Sequence, residues 1–185
     1  MIGEIFLFVL KCFYLLVPGL FANAAPVIFK NVDFLNYPVD FGRRFRGKPL
    51  FGSHKTYRGF FFGILAAIVF VYLQRFLFLR YDSFRSISLI DYSAHSFLLL
   101  GILLGFGVLF GDLVKSFLKR RVGIKPGESW FPWDQLDCLI GGLVFISLVY
   151  VPPWQVVIFL VLFVPLLHVI INYGGYYLGI KDSKW

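Results

Sequence analysis

The chain has 185 residues, of which 59% are hydrophobic and 24 are phenylalanine, a composition that excludes the soluble globular class. Its formal net charge is +8, from 18 basic and 10 acidic residues. The basic residues sit at the edges of apolar runs and no RNA or DNA motif accompanies them, which argues against nucleic acid and leaves membrane topology and lipid phosphates as their explanation.

A chain of this length holds about five spans of ~20 residues, giving an all-α integral membrane protein with one polytopic domain over residues 1–185 and no separate soluble domain. The first span is expected over residues 2–22. It lacks a basic n-region and a small-residue cleavage site, so it reads as a retained helix rather than a signal peptide. Glu4 can snorkel to one surface and Lys11 lies deep, while Pro18 and Gly19 predict a kink near the other end. Cys12 and Cys138 both fall in apolar segments, which makes a disulfide framework or a thiolate metal site improbable.

Residues 23–58 are too polar to span and carry seven Lys or Arg residues, so they are expected in the cytoplasm as an ordered loop. Three prolines and three glycines argue against one long helix there. The loop ends in Gly52-Ser53-His54-Lys55-Thr56-Tyr57-Arg58-Gly59 and runs into an apolar helix. That order sets backbone amides, a lysine and an arginine at a helix N-terminus, an arrangement suited to anions. The spacing is not that of a Walker A loop. Positive-inside signalling alone explains the charge, though not the Gly, Ser, Thr and His clustered beside it.

The second span is expected over residues 60–79. Residues 80–95, with two basic and two acidic side chains, form the outer loop. The third span, residues 96–110, contains Gly101 and Gly105 in a G-x-x-x-G spacing that permits close helix approach, so this helix is expected at the centre of the bundle. Residues 112–135 form the second cytoplasmic loop, entered by a continuation of the third helix that Pro126-Gly127 breaks. A fourth span over residues 136–151, an outer turn at Pro152-Pro153, a fifth span over residues 154–171 containing the lone His168, and a short inner tail complete the chain. Lys and Arg number seven in the first loop and five from Lys115 to Lys125, against two from Arg80 to His95. That asymmetry places the N-terminus outside and the C-terminus inside, with both basic loops in one compartment of the cell membrane.

The chemistry is concentrated in GDLVKSFLKRRVGIKPGESWFPWDQLD, Gly111 to Asp137. Asp112, Ser116 and Lys119 fall at i, i+4 and i+7, one face of a helix, and Asp134 and Asp137 at i and i+3 form a second acidic face. Opposed, the two faces offer hard oxygen ligands for Mg²⁺ and cations for the phosphates that bridge it, as phosphoryl or nucleotidyl transfer requires. A solvated charge run between two spans is the plainer alternative. Against it, Asp112 directly follows one apolar run and Asp137 directly precedes another, where ionisable groups are costly unless paired, metal-bound or facing a wet cavity.

This stretch resembles the CTP-transferase superfamily of integral membrane enzymes, whose signature S-x-x-K-R followed by D-x-x-D is met by Ser116, Lys119, Arg120, Asp134 and Asp137. The closer resemblance is to its archaeal branch, the CDP-archaeol synthases, through Gly111 and Asp112 before that signature and Lys125 to Trp130 after it. The same branch has a first-loop pattern carried here by Asn23, Pro26, Asp40, Gly42, Phe51, Gly52, Lys55, Thr56, Arg58 and Gly59. The bacterial branch places a glycine- and histidine-rich segment before D-R-x-x-D, and this chain has neither that histidine nor that arginine.

The resemblance implies cytidylyl transfer from CTP to a membrane lipid phosphate, 2,3-bis-O-geranylgeranyl-glycerol 1-phosphate in the archaeal branch, with Mg²⁺ as cofactor. It implies catalytic roles for Asp112, Lys119, Asp134 and Asp137, with Asp112, Ser116, Asp134 and Asp137 at the metal. Asn23, Lys55, Thr56, Arg58, Ser116, Arg120 and Lys125 would contact substrate. Phosphatidate as the lipid, a CTP-dependent polyprenol kinase, and a non-enzymatic transporter or structural membrane protein remain open alternatives, as does a homo-oligomeric state.

Overall fold

The computed structural model describes residues 2–52, 54–125 and 128–177, without the side chains of residues 168, 171–172 and 174–177. The expectations resting on Ser53, the Pro126-Gly127 break, the His168 side chain and the tail beyond residue 177 lie outside that set.

The described residues form six helices and one small hairpin: α1 (Ile2–Ile28), β1 (Arg44–Phe45), β2 (Lys48–Pro49), α2 (Tyr57–Arg80), α3 (Asp82–Ile87), α4 (Phe97–Arg121), α5 (Trp133–Ile146) and α6 (Trp154–Tyr177). α1, α2 and α4 are each long and apolar enough to cross a membrane. The first helix runs six residues past the expected end at residue 22, because Pro18 and Pro26 each cost one i−4 bond without stopping it. Asn23, expected in a loop, therefore lies on α1.

α5 also departs from expectation. It begins three residues before residue 136 and ends at Ile146, so at 14 residues it is about 21 Å long against a ~30 Å hydrocarbon core. The backbone continues in tighter turns, with Leu148 and Val149 N–H bonding three residues back to Phe145 and Ile146. The early start places Asp134 in the first turn of α5 and Asp137 one turn further on.

α4 is the central helix, packed on α1, α2 and α5, as its glycines predict. A Cβ on Gly101 or Gly105 would come within 2.6 Å and 2.8 Å of the Ile68 and Ile64 Cα atoms of α2, so the G-x-x-x-G face is what lets the two backbones meet. Outward-facing side chains such as Leu65, Val69, Tyr72, Phe76 and Leu79 on α2 are large and exposed, the apolar face that a lipid environment covers.

At the end of the bundle nearest residues 81–96, the core is closed by a buried polar chain. Gln74 is 2% exposed; its Nε2 donates to the Tyr14 carbonyl at 2.6 Å and its Oε1 accepts from Tyr92 Oη at 2.8 Å. A glutamine inside an apolar helix is tolerated because both ends of its amide are engaged. The connection that supplies Tyr92 is more ordered than a plain loop, with α3 and the buried Ile90 folded over the helices.

At the other end, residues 29–56 are organised by Asp40, which is 6% exposed. Its carboxylate accepts from the amides of Gly42 at 2.9 Å, Phe51 at 3.0 Å and Gly52 at 3.5 Å, tying the two ends of the hairpin segment together. The hairpin turns at Arg46 and Gly47, with φ of 51° and 75°, the left-handed pair that a two-residue hairpin favours. Arg121, in the last turn of α4, then holds this loop down. Its guanidinium donates to the Phe45 and Pro49 carbonyls and lies 4.9 Å from the Phe117 ring centroid.

Candidate active site

α4 and α5 meet through glycines. A Cβ on Gly111 would lie 2.0 Å from the Asp137 carbonyl oxygen, and one on Gly141 would lie 2.1 Å from the Gly107 carbonyl oxygen. No side chain fits either position. The backbones are therefore in direct contact where Asp112 follows Gly111 and faces Asp137, and the two acidic faces expected from spacing are opposed.

Between them stands Lys115. Its Nζ is 3.1 Å from Asp112 Oδ1, 3.3 Å from Asp134 Oδ1 and 2.6 Å from Asp137 Oδ2. Lys119 Nζ donates to both oxygens of Asp134 at 3.1 Å and to the Glu128 carbonyl, and Lys55 from the first loop pairs with Asp112 Oδ2. The Trp130 amide donates to Asp134 Oδ2 at 2.6 Å, drawing the segment before α5 onto the cluster. Three carboxylates and three ammoniums thus form one network across α4, α5 and the first loop. The Asp137 side chain is 5% exposed and that of Lys119 9%. Removing one member of such a buried network leaves a charge without its partner, at a cost of ~3–5 kcal/mol.

Of the other expected residues, several serve the scaffold. Ser116 Oγ donates to the Asp112 carbonyl at 2.8 Å within α4, a bond that ties the hydroxyl hydrogen to its own helix. Thr56 Oγ1 accepts from the Gly59 amide and caps α2. Arg58 Nη1 donates to the Val32 carbonyl at 2.8 Å, fixing the first loop, and Arg120 Nη1 donates to the Ile124 carbonyl at 2.7 Å beyond the end of α4. The Lys125 side chain is exposed, and its backbone amide donates to Glu128 Oε2. The expected anion site at the start of α2 has its groups engaged in the same way: the Gly52 amide is held by Asp40 and Lys55 by Asp112.

Asn23 sits at the site from an unexpected element. Its Oδ1 accepts from the Cys138 thiol at 3.6 Å, and it lines an apolar groove of about 170 Å³ between α1, α4, α5 and α6. Phe13, Leu16, Leu104 and Val164 line the groove, which ends on Asp134, Gln135 and Asp137. Gln135, 8% exposed, was not singled out by spacing; among the described residues its Oε1 is buried with no hydrogen-bond partner. A second apolar cavity of about 250 Å³ lies across the α4–α5 seam, lined by Val114, Lys115, Trp130, Trp133 and again Asp137.

The donors on this network are the hard oxygens that Mg²⁺ takes, and Asp112, Asp134 and Asp137 already converge on one cation, Lys115. Among the described residues, no three acidic, histidine or cysteine side chains enclose an ion on their own. The fit is therefore to a Mg²⁺ held by one or two carboxylates that completes its shell with phosphate oxygens.

A family model described as CarS-like CDP-archaeol synthase matches residues 5–185. The chain is 36% identical to a CDP-archaeol synthase of Methanoculleus marisnigri, an alignment covering 92% of this chain and 100% of that one. It is 34% identical to the CDP-archaeol synthase of Pyrococcus horikoshii over 95% and 96% of the two chains. A solved structure described as an intramembrane enzyme for archaeal membrane lipids biosynthesis superposes with a TM-score of 0.66 at 31% identity, covering 86% of this chain and 90% of that one.

Proposed function

The chain belongs to the CDP-archaeol synthase family, and on that premise we propose that it transfers the cytidylyl group of CTP to the phosphate of a bis-geranylgeranyl glycerol ether lipid, releasing pyrophosphate. The observation that supports this most is the ending of the apolar groove on Asp134 and Asp137, inside the network of Lys55, Lys115 and Lys119. A lipid whose chains lie in the groove has its phosphate where three ammoniums and the metal-binding carboxylates meet.

In the reaction an oxygen of the lipid phosphate attacks the α-phosphorus of CTP and the bond to the β-phosphate oxygen breaks. The attacking phosphate is already an anion at neutral pH, so no strong general base is required. The protein's task is to bring two anions together and to neutralise the charge on the departing pyrophosphate. Lys55 and Lys119, held at opposite edges of the network by Asp112 and Asp134, are placed to take that charge. Mg²⁺, when bound, supplies Lewis-acid stabilisation of the phosphoryl oxygens. In this reading one or two of Asp112, Asp134 and Asp137 would hold it, with phosphate oxygens supplying further ligands. Asn23 and Gln135 present polar groups to the lipid's glycerol phosphate at the floor of the groove.

The five-span arrangement, with both basic loops in the cytoplasm where CTP is made, agrees with the charge asymmetry along the chain. The cell membrane is then the site of action. The test is direct: purified protein given CTP, the ether lipid phosphate and Mg²⁺ forms a CDP-lipid and pyrophosphate in equal amounts. Full activity in excess chelator would refute the metal reading.

A further inference from the structure

Asp137 is the least exposed carboxylate of the network. Its Oδ1 accepts from the Cys138 amide of its own backbone at 2.7 Å, and its Oδ2 faces Lys115 Nζ at 2.6 Å. Asp112 has Lys55 besides, and Asp134 has Lys119 and the Trp130 amide. Lys115 is therefore shared by three carboxylates, but for Asp137 it is the cationic partner among the described residues.

We propose that Lys115 is an exchangeable counter-ion: it holds the metal position in the free enzyme and leaves it for the phosphates of CTP when Mg²⁺ enters. This rests on the reading of Asp112, Asp134 and Asp137 as the set from which Mg²⁺ draws its carboxylate ligands. Mg²⁺ needs ligand oxygens at ~2.1 Å, and the point on which these oxygens now converge is filled by an ammonium. Both cations cannot occupy it, since close like charges in a half-buried site repel strongly. Among the described residues these carboxylates do not enclose an ion by themselves. A lysine suits the exchange, because its charge sits on a flexible four-carbon stem and the Lys115 side chain is 16% exposed, beside the second cavity rather than locked in the core.

The arrangement couples the two ligands. Metal alone must displace Lys115 with no new anion to receive it, so it binds weakly. Metal arriving with CTP brings phosphates that take the ammonium, so each ligand tightens the other by the same factor. Replacing Lys115 with an apolar side chain removes the competitor, and with it the part of the coupling that runs through the lysine.

The experiment measures Mn²⁺ binding by electron paramagnetic resonance in the purified full chain, with and without CTP and with no lipid phosphate added. In the wild type, CTP tightens Mn²⁺ binding at least about tenfold, the lower end of the usual range for coupled sites being about fivefold. Lys115→Met binds Mn²⁺ alone about tenfold more tightly than the wild type, and CTP, whose phosphates still ligate the metal, tightens it by a smaller factor than in the wild type once Mn²⁺ held by CTP in a protein-free control is subtracted. Thermal unfolding gives a second readout. Without divalent ions Lys115→Met melts below the wild type, and Mg²⁺ restores it by a larger shift than it gives the wild type. The double variant Lys115→Met/Asp137→Asn, which removes the stranded charge, melts near the wild type without metal. Equal Mn²⁺ affinity in Lys115→Met and wild type overturns the exchange, as does a double variant no more stable than the single one. Absence of Mn²⁺ binding in every protein, with or without CTP, instead overturns the metal-site reading on which the exchange rests.

Discussion

The two ends of the bundle use their carboxylates differently. In the connection between α2 and α4, Asp82 pairs with Arg85 at 3.0 Å three residues away, and Asp91 accepts from the Ser93 amide and hydroxyl two residues away. Those partners lower the Asp91 carboxyl below its usual range, and the pairing is complete within one turn of chain. At the opposite end the acidic groups of the network reach across the fold: Asp112 to Lys55, 57 residues away, and Asp134 to Lys119, 15 residues away. Local pairing holds a loop's shape. Pairing between elements gathers charge at one point, which is costly for folding.

This contrast is broken most completely if the two ends face the same side of the membrane. Exposed His54 in the first loop and Ser83 in α3 are suitable reporters. In intact cells an impermeant thiol reagent labels Ser83→Cys and leaves His54→Cys unlabelled until the membrane is opened. Labelling of both from outside contradicts the cytoplasmic placement of the network.

Next in size are the acidic residues of α5. Asp134→Asn and Asp137→Asn each lower turnover at least about a hundredfold, the ~3 kcal/mol of a preorganised electrostatic group, while the protein still folds. Aggregation of both variants would make these carboxylates structural instead. Gly111→Ala sharpens the point from the backbone side. Its Cβ would press into the Asp137 carbonyl, and parting α4 from α5 by even ~1 Å costs turnover on the order of a hundredfold without touching a charge. Gly142→Ala, whose Cβ meets only Val108 Cγ2 at 3.2 Å, is the matched control and changes turnover by less than about threefold. Smallest of all, Asp82→Asn and Asp91→Asn leave turnover within about a factor of two, as expected of exposed positions away from the site.

Hydropathy made α1, α2 and α4 legible, and helical spacing brought out Asp112, Lys119, Asp134 and Asp137. Lys115 lies three residues from Asp112 and four from Lys119, on the same face, so spacing carries its signal, although a lysine one position before Ser116 has no place in the S-x-x-K-R pattern. Gly107 and Gly111 repeat the spacing of Gly101 and Gly105, and they, rather than the first pair, form the seam beside the carboxylates. Other features had no local signal. That Arg58 serves Val32, that Arg121 clamps the hairpin, and that Asn23 meets Cys138 are long-range outcomes of packing, which charge and motif alone do not distinguish from phosphate binding. The span limits at residues 22 and 136 shifted because prolines near a helix end weaken it without ending it, and because α5 begins in a polar, Trp-flanked turn that hydropathy assigns to a loop.

The central claim is that this network moves a cytidylyl group onto a lipid phosphate delivered by the apolar groove. It is tested most directly by following label from CTP in the purified protein with Mg²⁺ and the ether lipid phosphate. Label at the α-phosphorus should appear in the lipid product while label at the γ-phosphorus leaves as pyrophosphate, and both should vanish together in Asp137→Asn. Transfer of the γ-label to a lipid acceptor would mean a kinase reaction, and α-label in the lipid at an unchanged rate in Asp137→Asn would separate the network from the chemistry; either result contradicts the account.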